Sequence, residues 1–323
     1  MQLLENRAAE LRNRYGIIFS FTGIASRRLG WIANPEGIHD LGPALGEVEG
    51  ALARKLPRPD PEINSVRDWL SAARADVLFE ATSLNLETGQ PAVDHIRAAL
   101  THGAHAITAN KGPIVHAYRA LRDLAAEHGR RFLYESTVMD GVPIFSLFEQ
   151  LPAVHLEGFH GILNSTTNVI LSGMEQGLSF DEALKQAQRL GVAETDAAHD
   201  IDGWDAAVKT AALITVLMDA PIRLDQIARE GIRDLTPSAA RNAKRDGWPF
   251  KLVCRAHRTA NGVEASVRPE KVRSSEPMAR ITGTSSYIYF ETDIFPGLAI
   301  TEESPGLYAT AYGLVADFVR AVK

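Results

Sequence analysis

The sequence predicts an α/β fold: a parallel sheet of the doubly wound type, followed by a second unit of α+β character. Three observations lead there. Short apolar strands and amphipathic helices alternate between Ser65 and Glu135, the pattern of a parallel sheet with crossover helices. Beyond Val154 that alternation gives way to longer strands and grouped helices. The 323 residues also exceed what one hydrophobic core normally holds.

Taken in order, residues 3–14 read as a charged amphipathic helix and Ile17–Ala25 as a β-rich strand. Residues 30–62 are rich in Gly and Pro and predict a long irregular connection with one helix around 46–55. Ser65–Arg74 predicts a helix and Asp76–Ala81 a strand. Pro91–His102 is helical, Ala104–Thr108 a strand, Ile114–His128 a helix and Arg131–Glu135 a strand. Val154–Leu163 is a longer strand ending at Asn164, with helices at 166–176, 180–190 and 203–218. Alternating strands follow at Lys251–His257, Gly262–Val267 and Ser286–Thr292, and Tyr308–Val322 is a final helix. The expected division is 1–140 as a nucleotide-binding domain and 141–305 as a substrate, catalytic and dimerisation domain. Residues 306–323 form a helix returning to the first domain.

Composition narrows the class. Apolar residues make up 45% and charged residues 23%, as in an ordinary globular protein. The net charge of -6, with no basic run, argues against a nucleic-acid partner. One cysteine, Cys254, permits no disulfide within the chain and fits a reducing compartment. The start lacks a signal-peptide apolar core, and the apolar run Thr210–Met218 is too short to span a bilayer. A cytoplasmic protein without membrane partners is expected.

Dinucleotide-binding sheets open with a strand and a G-x-G-x-x-G turn. The sequence contains no G-x-G and starts with a helix, so it reads as a Rossmann-like sheet whose first strand and phosphate loop stand outside it. The second strand ends at Ile24-Ala-Ser-Arg27-Arg28. An acid there suits a ribose, whereas arginine suits a 2′-phosphate, which favours NADP with NAD still open. A solvated arginine pair is the plain alternative.

Four motifs carry chemistry. Thr108-Ala-Asn-Lys111-Gly-Pro follows a strand, and a lysine there points into the ligand crevice or sits in a surface loop. In Tyr134-Glu135-Ser-Thr-Val138-Met-Asp140-Gly-Val142-Pro, Glu135 could hold a ligand or cation with nearby carbonyls, or the stretch is a turn cluster. Gly161-Ile-Leu-Asn164-Ser-Thr166-Thr-Asn starts a helix with groups able to grip an anion, or merely caps it. The fourth, Gly191 to Lys209, crowds acids ahead of an apolar helix. There Asp202 suits the N-cap, and Asp205 and Lys209 form an i,i+4 pair. On a buried helix Asp205 would hold a desolvated lysine of depressed pKa, fit for proton transfer. Asp200-Ile-Asp202-Gly resembles part of a calcium loop but lacks its spacing.

In order and spacing, these motifs resemble the homoserine dehydrogenase family over essentially the whole chain. The resemblance implies an NAD(P)-dependent oxidoreductase that interconverts L-homoserine and L-aspartate 4-semialdehyde in threonine and methionine biosynthesis. It implies Lys209 as acid/base, Asp205 as its orienting partner and Lys111 as a group binding or polarising the reacting oxygen. Glu194 and Asp200 would hold the substrate ammonium, with Thr166 also at the substrate. Thr82, Ser83 and Gly306 would lie at the cofactor, and Glu135 with the carbonyls of Val138, Asp140 and Val142 would form a monovalent-cation site of the Na+ type. A homodimer or homotetramer is implied. Ser165 stands where the family usually has Gly, Val192 replaces a usual Tyr, and Glu303-Ser-Pro-Gly306 alters a Gly-rich turn. These departures leave open a relative that is inactive or acts on another small amino or hydroxy acid.

Overall fold

The computed structural model describes residues 1–38 and 57–323, and the helix expected around 46–55 lies outside the described residues. It divides into two compact units, Met1–Ser136 with Thr310–Lys323, and Thr137–Ala309.

In the first unit, α1 (Gln2–Tyr15) buries Leu4 and Leu11 and stops at Gly16, whose φ of 72° suits a residue without Cβ. β1 (Gly23–Ser26) and β2 (Gly30–Ala33) form an antiparallel hairpin. α2 (Val66–Ala73) is capped by the Ser65 side chain, which accepts the Asp68 N–H. There follow β3 (Val77–Glu80), α3 (Ala92–His102), β4 (His105–Thr108), α4 (Gly112–Glu127) and β5 (Phe132–Leu133). The three strands form the expected parallel sheet in the order β3-β4-β5.

Two expectations change here. The strand expected over Ile17–Ala25 pairs only from Gly23 onward, because β2 is the ladder partner it meets. Arg27 and Arg28 consequently lie exposed in the hairpin turn, not at the carboxyl end of a parallel strand.

The second unit contains α5 (Phe145–Glu149), β6 (Leu156–Ile162), α6 (Ser165–Glu175), α7 (Phe180–Arg189), α8 (Ala198–Ile201) and α9 (Trp204–Leu217). β7 (Ala228–Arg229), α10 (Pro237–Arg245), β8 (Phe250–Thr259), β9 (Gly262–Lys271), β10 (Ser286–Thr292) and β11 (Leu298–Glu302) complete it. Its sheet runs β11-β10-β6-β8-β9-β7, antiparallel except for β7 beside β9. α9 is buried on nearly every side, from Ala206 to Thr215, as its continuous apolar sequence requires. The last helix, α11 (Leu307–Val322), contributes Val315, Phe318 and Ala321 to the core of the first unit beside Leu4, Ile107 and Leu133.

No helix among the described residues is long and apolar enough to cross a membrane.

Candidate active site

The chemistry of the second unit gathers where β6 runs into α6. Asn164 leaves the strand in an extended conformation and caps α6, its Oδ1 accepting the Thr167 N–H at 2.8 Å. Its amide does more than cap. Nδ2 donates to Asp200 Oδ1 at 2.6 Å and to Asp205 Oδ2 at 3.0 Å, tying both carboxylates to one point. Asp205 in turn meets Lys209 Nζ at 2.9 Å along α9, and Nζ also donates to the Leu163 carbonyl at 2.7 Å. The Lys209 side chain keeps 18% of its surface exposed, so it is held firmly yet can be reached.

Burial alone pushes the Lys209 ammonium towards losing its proton, but Asp205, Asp200 and Asp140 together outweigh it and hold its pKa above the ordinary value. The expected depression is therefore reversed: the lysine rests protonated. Asp200 moves up, from burial first and the neighbouring Asp205 second, against hydrogen bonds from Asn164 and Thr166. Glu302, at the end of β11, is pushed up to about 7 by burial and by Asp140, with Lys209 opposing. One of its carboxylate oxygens, Oε2, is buried without a hydrogen-bond partner. Several carboxylates around one lysine favour binding a cation such as an ammonium.

Of the other expected residues, Thr166 turns its hydroxyl to the Val192 carbonyl at 2.6 Å. Ser165 donates to the Thr284 carbonyl at 3.0 Å. Glu194 is exposed, its main-chain carbonyl accepting from Gln188 at 3.3 Å. Gly306 is exposed, with nothing near the place a Cβ would take. Asp202 is not the N-cap of α9. Gly203 takes that position with φ 80°, because the chain turns left-handed between α8 and α9. Asp202 is drawn instead into a bidentate pair with Arg233 at 2.8 and 3.0 Å, which lowers its pKa.

In the first unit, Lys111 stands at the start of α4 just beyond β4, and Thr82 and Ser83 follow β3. Asn110 joins the two strand ends. Its Nδ2 donates to the Thr82 carbonyl at 3.0 Å and its Oδ1 accepts the Gly112 N–H at 2.9 Å. Beneath them the Glu80 carboxylate, 3% exposed, accepts from Thr82 and Thr108. Burial acts to raise its pKa, but bonds from His95, Thr82 and Thr108 outweigh that and lower it. Carboxyl ends of parallel strands are where doubly wound sheets bind ligands, so Thr82, Ser83 and Lys111 fit a nicotinamide cofactor. Glu135, buried in this unit, faces the Arg320 guanidinium at 3.3 Å, and its N–H donates to Asp317 Oδ2 at 2.7 Å. Val138, Asp140 and Val142 belong to the second unit, where the Val142 carbonyl accepts the Ile144 N–H at 2.8 Å.

Sequence reasoning saw Asn164 as an anion-gripping group or a cap, not as a tie between two carboxylates, and did not single out Asn110, Glu80 or Glu302. Asn110 lies inside a quoted motif, and Glu80 inside the expected strand Asp76–Ala81. Glu302 carries no local signal, since its neighbours come from Asp140 and Lys209.

A parallel nucleotide-type sheet and a second unit that gathers a lysine among carboxylates suit an NAD(P)-dependent oxidoreductase. The homoserine dehydrogenase family model matches residues 143–319, and that of the homoserine dehydrogenase NAD binding domain matches 41–135. The NAD(+)-dependent homoserine dehydrogenase of Pseudomonas canavaninivorans is 33% identical, over 98% of this chain and 91% of its own. The homoserine dehydrogenase of Methanocaldococcus jannaschii is 35% identical, over 82% and 78%. Among solved structures, a putative homoserine dehydrogenase from Archaeoglobus fulgidus superposes with TM-score 0.82 at 29% identity, covering 99% of this chain and 93% of that one. A hyperthermophilic archaeal homoserine dehydrogenase mutant in complex with NADPH gives 0.81 at 26% identity, with the same coverage. The chain belongs to the homoserine dehydrogenase family.

Proposed function

We propose that this chain interconverts L-homoserine and L-aspartate 4-semialdehyde, preferring NADP, as a step towards threonine and methionine. The observation that carries the reading is the Asp205–Lys209 pair at 2.9 Å, anchored through Asn164 to Asp200. A bound nicotinamide supplies or accepts the hydride. Lys209, resting protonated, gives a proton to the aldehyde oxygen in reduction and takes it back from the hydroxyl in oxidation. Asp205 fixes the lysine and keeps its proton affinity high. Asp200, with Glu194 closing from the exposed loop, holds the substrate ammonium, and Thr166 shapes that end of the site. Lys111 binds or polarises the reacting oxygen. Thr82 and Ser83 lie by the nicotinamide, Gly306 lets the cofactor approach closely, and Arg27 and Arg28 meet the 2′-phosphate. The residues up to 140 and the last helix form the cofactor domain, and 141–305 the catalytic and dimerising domain of a cytoplasmic homodimer or homotetramer. A monovalent cation stays part of the proposal through the Glu135 carboxylate, whose guanidinium partner Arg320 is shared with Asp317.

The test is homoserine-dependent reduction of NADP, with NAD alongside. Lys209→Ala is expected to lose roughly 10²–10⁴ in kcat, the usual worth of a general acid–base group. In Asp205→Ala the basic limb of the pH–rate profile moves to lower pH, because a charge that raises the lysine pKa is gone. Turnover unaffected by Lys209→Ala would refute the assignment.

A further inference from the structure

The turn between α8 and α9 carries both carboxylates that meet Asn164, with Asp200 ahead of Gly203 and Asp205 behind it. Little in its own sequence holds it in place. α8 is four residues long, far below the length at which a helix is stable by itself. Gly203, with φ 80°, is the residue freest to swing. The charge on Asp205 acts against that on Asp200, so the two acids tend to part.

The segment 229–233 grips this turn. Ile232 N–H donates to the Ile201 carbonyl at 2.8 Å, and Glu230 N–H ties the segment to the Val267 carbonyl of β9 at 2.8 Å. Gly231 packs so closely that an added Cβ would strike the Ile201 carbonyl oxygen and come within 2.6 Å of the Asp202 Cα. Arg229 donates to the Asp202 carbonyl, and its guanidinium lies 3.6 Å from the centroid of the Trp204 ring. Arg233 takes both Asp202 carboxylate oxygens, at 2.8 and 3.0 Å, and feels the charge of Asp196 just ahead of α8. Both guanidinium groups thus converge on the residue beside the glycine hinge. An isolated exposed pair contributes little, because two long side chains must be immobilised for it. This pair is bidentate, and the Trp204 ring already orients the second arginine.

We propose that Arg229, Arg233 and Asp202 are positioning residues for the amino-acid substrate: they clamp the α8–α9 turn so that Asp200 stays at Asn164 and presents its carboxylate to the substrate ammonium. The inference rests on reading Asp200 as a ligand of that ammonium. Lys209 sits beyond the turn on α9 and is held by the Leu163 carbonyl, so loosening the clamp spares the proton transfer. The loss falls on homoserine binding.

Arg233→Met keeps the aliphatic stem and removes the fork. Its KM for homoserine is expected to rise roughly three- to fivefold, the upper range for an exposed pair, with kcat and NADPH affinity by fluorescence titration unchanged. Arg233→Lys restores a single contact to Asp202 and is expected to recover part of the loss. Arg229→Met moves KM in the same direction, and the double variant falls short of the product of the two effects, because both act on one turn. Hydrogen exchange followed by mass spectrometry, without substrate or cofactor, is expected to show residues 198–206 exchanging faster in Arg233→Met by about the same factor, at unchanged Tm. Unchanged exchange there overturns the clamp, and so does an unchanged KM for homoserine. A joint fall in kcat, NADPH affinity and Tm with no recovery in Arg233→Lys also overturns it, because the pair would then be merely structural. The exchange measurement needs no turnover, so failure of the clamp is distinct from failure of the proposed reaction, in which the parent itself would leave homoserine unchanged.

Discussion

Glu302 adds its carboxylate to Asp140, Asp200 and Asp205 within electrostatic reach of Lys209. Its ordinary value is 4.5, and burial followed by Asp140 pushes it up to about 7. The folded state therefore holds this proton more tightly than the unfolded chain between those values. Stability from this group is present at acidic pH and is lost as pH rises from 4.5 towards 7. Glu302→Gln keeps the shape and removes the titration. The variant is expected to gain stability over the parent at pH 8 but not at pH 4, by on the order of 1 kcal/mol, a figure reduced because the side chain is partly solvated. Denaturant midpoints at the two pH values check it, and an equal difference at both would remove Glu302 as the titrating group. Such a carboxylate was not legible in the sequence. Asn164 was half legible: the cap follows from local spacing, whereas its bonds to Asp200 and Asp205 span 36 and 41 residues and depend on tertiary closure.

Elements with a clear apolar period were read nearly to their ends, as β10 at Ser286–Thr292 and α9 at Trp204–Leu217 illustrate. α10 escaped notice because its buried face consists of Ala240 and Ala243, too small to mark a hydrophobic stripe among its charged neighbours. β1 was read too long because its apolar pattern continues back to Ile17 while its pairing does not. β6 positions the site, since its end sets Leu163 against Lys209 and Asn164 against both carboxylates. Gly161 on β6 pairs with Ile288 of β10, and a Cβ there would lie 2.2 Å from the Tyr287 carbonyl oxygen. A backbone atom cannot rotate away as a side chain can. Gly161→Ala is expected to destabilise the chain by about 2–3 kcal/mol, the upper range for overpacking. Gly262, whose added Cβ would meet nothing within 4 Å, separates this crowding from backbone strain, because its φ of 125° strains alanine without a clash. A Gly161→Ala loss no larger than a few tenths of a kcal/mol in urea melts would show that β10 yields at this point.

At the scale of the whole molecule, each unit contains a carboxyl raised to about 7, Glu302 in the second and Asp317 in the first. Asp317 is fully buried in α11. It accepts the Glu135 N–H at 2.7 Å and the Arg320 guanidinium at 3.0 Å, and Arg320 also meets Glu135 at 3.3 Å. Two buried carboxylates meet this guanidinium, so the charge on Glu135 opposes ionising Asp317. Burial is the main cause of the upward shift and the Glu135 charge adds to it, while the Glu135 N–H and Arg320 oppose it. The folded unit retains a proton that the unfolded chain gives up near 3.8, so its stability declines as pH rises from that value to about 7. A shift of this size in a buried group corresponds to roughly 2–4 kcal/mol. Glu135→Gln removes one of the two charges and preserves the main-chain N–H that Asp317 accepts. Asp317 then ionises opposite Arg320 at lower pH, and the decline contracts. Differential scanning calorimetry between pH 4 and 8 is expected to show the transition of the first unit falling in the parent and falling less steeply in Glu135→Gln. The Glu302 contribution, belonging to the other unit, is expected to persist. A Glu135→Gln profile that falls as steeply as the parent's would mean that burial alone, and not the shared guanidinium, sets the proton on Asp317.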